Sequence, residues 1–249
     1  MNGILPKGLV VLLCFQAGVS GFSPTLWSPF LSRSLKIDSF LSNRPHVGSS
    51  FSTGGLLKSR QCVRIAEEEQ SVLNKKKKSV LFVCLGNICR SPAAEAVFQH
   101  TVDSAGLSDS YVIDSCGTGG GSPNWYREGG FSYHSGDPAD SRMTEAANRR
   151  SVRITSHSRP LCRSDFERFD KIVHMDESNK MEIIRAANHW GIPQDKLSRV
   201  QSMMQFAKGP TNLRYVPDPY YGGPDGFEKV LDLLEDACAG LLEVMEDCK

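Results

Sequence analysis

Four consecutive apolar residues, Val80-Leu81-Phe82-Val83, follow a run of lysines and begin the clearest pattern in the chain. An unbroken apolar run of this kind, rich in valine, reads as a strand covered on both faces, as in a parallel sheet. Ser91-Pro92 then opens Ala93-Ala94-Glu95-Ala96-Val97-Phe98-Gln99. A hydroxyl residue, an early proline and a first-turn glutamate together mark a helix start. The alternation continues with strands predicted over Tyr111 to Ser115 and Lys171 to Met175, and helices over Thr144 to Arg150 and Glu177 to Trp190. Apolar positions at helical spacing from Gly226 to Met245 predict a last helix that packs on the core. Strands alternating with helices predict the α/β class. The expectation is a single domain with a central parallel sheet of about four strands, flanked by helices on both faces, and roughly 170 residues are ample for one core.

Residues 1–78 follow a different pattern and are predicted to be a largely disordered targeting presequence and linker, leaving 79–249 as the folded domain. The segment carries Lys7, the apolar run Leu9 to Phe15 and a serine-rich stretch with basic residues, and Asp38 is its one acid before Glu67. That is targeting composition. The apolar run is shorter than the ~20 residues a spanning helix needs, so no stable membrane insertion is expected. A chloroplast address is expected, with a mitochondrial address or secretory entry, cut near Gly18 to Gly21, as alternatives. Lys75 to Lys78, after Glu67-Glu68-Glu69, read as a solvated linker.

A net charge of +1 gives no reason to invoke nucleic acid. The eight cysteines have neither zinc-site spacing nor a secreted disulfide pattern, and no dinucleotide or Walker fingerprint occurs. No metal or other cofactor is therefore expected. The chemistry concentrates instead in Cys84-Leu85-Gly86-Asn87-Ile88-Cys89-Arg90-Ser91, which joins the carboxyl end of the first strand to a helix N-terminus. Backbone N–H groups in such a loop have no intrahelical partner, and the helix dipole adds positive potential, so the hollow suits a phosphate dianion. Gly86 allows close backbone approach, and Arg90 can offer two parallel donors to equatorial oxygens. Beside that charge Cys84 should ionise more easily than a free thiol, whose pKa is roughly 8.5, which makes it the predicted nucleophile. Ser91 would donate to the sulfur or cap the helix. A cysteine cannot protonate a leaving oxygen, so a separate acid is required, and Asp218, stiffened between Pro217 and Pro219, offers one.

The loop from Val83 to Pro92 resembles the signature of the low-molecular-weight protein tyrosine phosphatases, V-C-x-G-N-x-C-R-S-P, at every position. The resemblance continues through Asp114 to Thr118, Pro138 to Met143, Met175 to Asn179 and Pro217 to Gly222, and a presequence would make this a plant or algal organellar-type member. It implies catalysis by Cys84, Arg90 and Asp218 through a cysteinyl-phosphate, the aspartate serving first as acid and then as base. Leu85, Gly86, Asn87, Ile88, Cys89 and Ser91 would form the phosphate and substrate contacts, with Tyr220 and Tyr221 at the entrance. Isoleucine at Ile88 points to phosphotyrosine proteins or small phosphomonoesters rather than to the arginine-phosphate branch, which carries threonine there. Asn87, Ser115 and His157 would support the loop.

Cys89 could close a protective disulfide with Cys84, with thioredoxin or glutathione as a possible redox partner, or simply pack beneath the loop. The segment Thr118 to Asp137 is longer and more glycine-rich than the pattern, which implies mobility. The aromatic pocket wall belongs in this stretch; Tyr133 is the preferred residue, with Trp125 as the alternative. Two other activities remain open. Arsenate reduction would need a cysteine relay, for which Cys162, Cys238 and Cys248 are the candidates, and the chain could also be a silent phosphate-binding module.

Overall fold

The computed structural model describes residues 76–247. The predicted presequence and organellar address, most of the predicted linker and Cys248 lie outside the described residues. Four parallel strands form one sheet in the order β2-β1-β3-β4, where β1 is Lys78–Cys84, β2 Tyr111–Gly117, β3 Lys171–His174 and β4 Val200–Ser202. The helices are α1 (Arg90–Ser104), α2 (Ser141–Arg149), α3 (Asp165–Arg168), α4 (Glu177–Trp190), α5 (Gln194–Leu197) and α6 (Pro224–Asp247). The predicted class and sheet are those observed.

The unbroken apolar run lies at the centre of the sheet because both its faces are covered. Val80 and Phe82 join the core beneath α1 and α6, while Leu81 and Val83 join a second core with Phe166, Ile172 and Ile183 on the α4 side. All four residues of the run are inaccessible to solvent. Registers of Cys84 with Gly117 and of Val83 with His174 place three strand ends level at one edge. The chain leaves β1 toward β2 and later returns to β3 on the other side of β1, so the β1/β3 boundary is a topological switch point. Open α/β sheets bind ligands in the crevice outside the carboxyl ends of strands at such a point.

Two local expectations change, and one strand lies where no position was predicted. Lys78 is the first residue of β1 rather than linker: it pairs with Tyr111, and its Nζ donates to Glu246 Oε1 (2.8 Å) and to the Met245 carbonyl. The fourth strand, three residues long, was too short for the hydrophobic pattern to locate. The glycine-rich segment after β2 is anchored, not free. Trp125 and Tyr126 are buried, Trp125 lies edge-on to Trp190 with ring centroids 5.9 Å apart, and Trp190 Nε1 donates to the Tyr126 carbonyl at 2.9 Å. Gly119 makes this possible: its φ is +83°, and a Cβ there would sit 2.3 Å from the Trp125 ring.

Candidate active site

The loop between β1 and α1 follows from where its carbonyls go. Cys84 O accepts from Thr118 N (2.9 Å), Leu85 O from Gly120 N (2.9 Å), Gly86 O from Ser158 Oγ (2.9 Å), Ile88 O from Asp140 N (2.7 Å) and Cys89 O from Ala93 N (3.2 Å). Each peptide is planar, so fixing its carbonyl outward turns the N–H of the next residue inward. The amides of Leu85, Gly86, Asn87, Cys89 and Arg90 therefore face one hollow at the α1 N-terminus, a cradle for an anion. Gly117 seats the loop from behind, because a Cβ there would lie 2.9 Å from Leu85 O and 3.1 Å from Asn87 N. Gly117→Ala is expected to shift the loop, costing ~1–3 kcal/mol of stability and weakening vanadate binding measured by calorimetry; unchanged affinity would show that the loop does not depend on this close approach.

Asn87 adopts a left-handed conformation, φ 54°, and its side chain holds it there. Its Nδ2 donates to Ser91 Oγ (3.0 Å) and Ser115 Oγ (2.9 Å), and its Oδ1 accepts from Arg159 N (2.9 Å). Ser91 is buried in the first turn of α1 with its Oγ 3.0 Å from Cys84 Sγ and 3.2 Å from the Cys116 carbonyl. Of its two expected roles, the structure therefore gives it the one beside the sulfur, since the α1 cap position is Cys89 and has no side-chain cap bond. Asn87 N also points at the sulfur, at 3.3 Å.

The network extends to residues the sequence reading passed over. Ser115 Oγ donates to Glu95 Oε2 at 2.5 Å; burial pushes the Glu95 carboxyl up, against hydrogen bonds from Ser115 and Ser156. Arg159, whose amide holds Asn87, ties Asp114 (2.9 Å) to the wholly buried Asp165 (2.9 Å). His157 does not join the network. Its side chain is exposed and it meets the loop region only through a backbone bridge with Pro138, while its neighbours Ser156, Ser158 and Arg159 make the supporting bonds.

Arg90 is buried at the switch point and oriented by groups from both sides of it. Its Nη1 donates to Asp176 Oδ2 (2.6 Å) and to the Val216 carbonyl (3.1 Å). Asp176 is the N-cap of α4, its other oxygen accepting from Asn179 N at 2.8 Å, so one carboxylate starts a helix and aims the arginine. An aspartate immediately before a predicted helix was the signal for it. Burial opposes the charge of Arg90, yet Cys84, Asp176 and Asp218 outweigh it and hold the guanidinium above its ordinary pKa. Asp218 Oδ2 lies 3.8 Å from Arg90 Nη2, and its Oδ1 accepts from Tyr220 N at 3.1 Å. At 37 % exposure the Asp218 side chain sits on the solvent side of the guanidinium.

The rim is aromatic and polar. Leu85 and Tyr133 are exposed, Ile88 is partly buried, and the ring of His134, fixed by Asp137 at 3.1 Å, would touch a Cβ at Gly86. Trp125 belongs to the α4-side core, whereas Tyr133 is exposed beside Phe131, its amide donating to Gly119 O at 3.1 Å. Tyr220 is exposed, with the Arg142 guanidinium 5.3 Å from its ring centre. Tyr221 ends the short turn Pro219–Tyr221, and its side chain lies outside the described residues. Burial pushes the Cys89 thiol up to about 12, with Asp140, Cys84 and Asp218 adding to it, so it stays neutral and adds no negative charge to the hollow. Among the described residues no cluster of metal-ligating side chains occurs.

Fold and site together define a doubly wound α/β domain that presents a cysteine sulfur, a clamped arginine and an aspartate carboxyl around one anion cradle. Residues 79–248 match the family model described as low molecular weight phosphotyrosine protein phosphatase. The chain belongs to that family. A low molecular weight protein-tyrosine-phosphatase relative from Synechocystis is 43 % identical over 166 residues, 66 % of this chain and 93 % of the relative. The human low molecular weight phosphotyrosine protein phosphatase is 36 % identical over 67 % of this chain and 94 % of its own length. The crystal structure of a protein tyrosine phosphatase from Entamoeba histolytica, with Hepes in its active site, superposes with a TM-score of 0.60 at 40 % identity, covering 69 % of this chain and 98 % of that one.

Proposed function

We propose that this protein hydrolyses phosphotyrosine and small aryl phosphate monoesters in two steps. The observation that carries the reading is the convergence of Cys84 Sγ, the Arg90 guanidinium and the Asp218 carboxyl on one loop of inward amides. In the first step the sulfur attacks phosphorus, Arg90 and the amides hold the equatorial oxygens, and Asp218 gives its proton to the departing phenolic oxygen. In the second, Asp218 takes a proton from water, water attacks the cysteinyl-phosphate, and Ser91 Oγ with Asn87 N receives the leaving thiolate. Ile88 and the tyrosines at the rim suit an aromatic ester. Arsenate relay fits less well, because Cys238 is buried in the α6 core with Ala94 O as its neighbour.

The test is leaving-group dependence. Asp218→Asn is expected to lower kcat/KM, which reports the first step alone, by ~10²–10³-fold on phenyl phosphate, within the usual range for a lost general acid, and much less on dinitrophenyl phosphate, whose oxygen leaves without a proton. Equal losses on both esters would sink the assignment of the acid.

We also propose that Cys84 and Cys89, both free thiols, give two protons and two electrons to peroxide, forming a disulfide and water. Peroxide inactivation is then expected to reverse with thioredoxin in the parent and to become irreversible in Cys89→Ser, as followed by recovered hydrolysis. Equal recovery in both would overturn it.

A further inference from the structure

A cavity of about 690 Å³ opens at the carboxyl ends of β3 and β4, and its lining includes His174, Lys180, Gln201, Arg214 and Tyr215. None of its lining residues belongs to the loop of Cys84. Its volume falls in the usual range for small-molecule sites, and its position at the strand ends is where doubly wound sheets bind ligands.

His174 supplies an independent sign of a ligand. It closes β3, pairing with Val83 on one side and Ser202 on the other, and is only 4 % exposed. Its Nδ1 is buried with no hydrogen-bond partner among the described residues. Leaving such an atom empty is costly, and most buried polar atoms in proteins are satisfied. Burial pushes the ring below its ordinary pKa, outweighing the Asp176 backbone and Glu177, so the imidazole is kept neutral. The charge at the cavity is chiefly positive. Lys180 is shared with Glu177 at 3.0 Å, while the exposed Arg214 has no carboxylate partner among the described residues. Tyr215, 52 % exposed, adds an aromatic wall.

Both walls run directly into the catalytic machinery. His174 precedes Met175-Asp176, whose carboxylate clamps Arg90, and Tyr215 precedes Val216, whose carbonyl accepts from Arg90 on the way to Asp218. The two walls are joined by one bond, Val216 N to Met175 O at 2.9 Å. We infer that this cavity is a second site, for a small organic anion bearing carboxylate or phosphate, which sets its charge between Arg214 and Lys180 and a polar group on His174 Nδ1, and whose binding raises turnover at Cys84. The rate effect rests on the phosphatase reading. A ligand bridging the walls holds the Asp176 turn and the Asp218 loop in one relative position, which is the position that catalysis uses.

The test follows the His174 imidazole resonances by NMR in the full chain carrying Cys84→Ser, with tungstate filling the catalytic loop. Citrate is titrated in one arm and phosphoglycolate in the other. A saturable shift in either arm is expected, and that arm names the anion. Arg214→Ala with Lys180→Ala should weaken it by about tenfold or more. In the unsubstituted chain the same probe should raise kcat on an aryl phosphate about twofold or more at saturating substrate. No saturable shift in either arm, a shift indifferent to the two substitutions, or binding with kcat unmoved each overturns the inference. Absence of any hydrolysis would sink the phosphatase reading instead, while the His174 titration would still decide the site.

Discussion

Cys84→Ser is expected to lower kcat on aryl phosphates by ~10⁴-fold or more, at least 5 kcal/mol of lost transition-state stabilisation at about 1.4 kcal/mol per tenfold. The substitution removes the atom that bonds to phosphorus, and a serine hydroxyl in the same place has no base to take its proton: the groups near Sγ are Ser91 Oγ and Asn87 N, neither of which is basic. The cradle should survive, because its shape depends on outward carbonyls and on Asn87, not on the sulfur. Tungstate or vanadate affinity, measured by calorimetry, should therefore stay within about tenfold of the parent. Rapid-quench analysis with a labelled ester should find phosphoenzyme in the parent and none in the variant. Residual turnover within about tenfold of the parent would mean that another group attacks phosphorus.

The sequence exposed this chemistry because the residues that carry it are consecutive. A loop that must leave a buried strand, turn its amides inward and enter a helix confines cysteine, glycine and arginine to a few positions, and Val80 to Pro92 shows them all. What holds the loop was harder to see. Asp176, Arg159, Ser158 and Glu95 reach it from β3–α4, from the segment before α3 and from α1, and their contacts depend on which strands become neighbours. Strand order is written in no local pattern. His157 was misplaced for the same reason: in Ser156-His157-Ser158-Arg159 the chain is extended, so alternate side chains face opposite ways, and Ser158 rather than the histidine reaches Gly86. Glycine density likewise misled in the segment after β2, where Gly119 serves the close seating of Trp125 rather than motion.

Arg90→Lys is the substitution that separates a charge from a fork. Lysine keeps the positive charge but offers a point donor, whereas the guanidinium uses one nitrogen for Asp176 and Val216 and leaves Nη2 and its remaining N–H groups for the substrate. If charge alone mattered, the variant would be mildly impaired. The geometry favours a larger loss, because an ammonium that stays with the Asp176 carboxylate cannot also meet two phosphate oxygens, and one that meets the phosphate abandons a half-buried carboxylate. A fall in kcat/KM of ~10³–10⁴-fold is expected, about 4–5 kcal/mol, in line with arginines that stabilise transferring phosphoryl groups. Asp176→Asn should cost clearly less, since the guanidinium remains and loses only part of its aim, and kcat should fall more than KM rises. Melting curves for both variants check that the switch point is still folded. A lysine variant within about tenfold of the parent would show that the site needs only charge at this position, and the fork would no longer explain why arginine stands there.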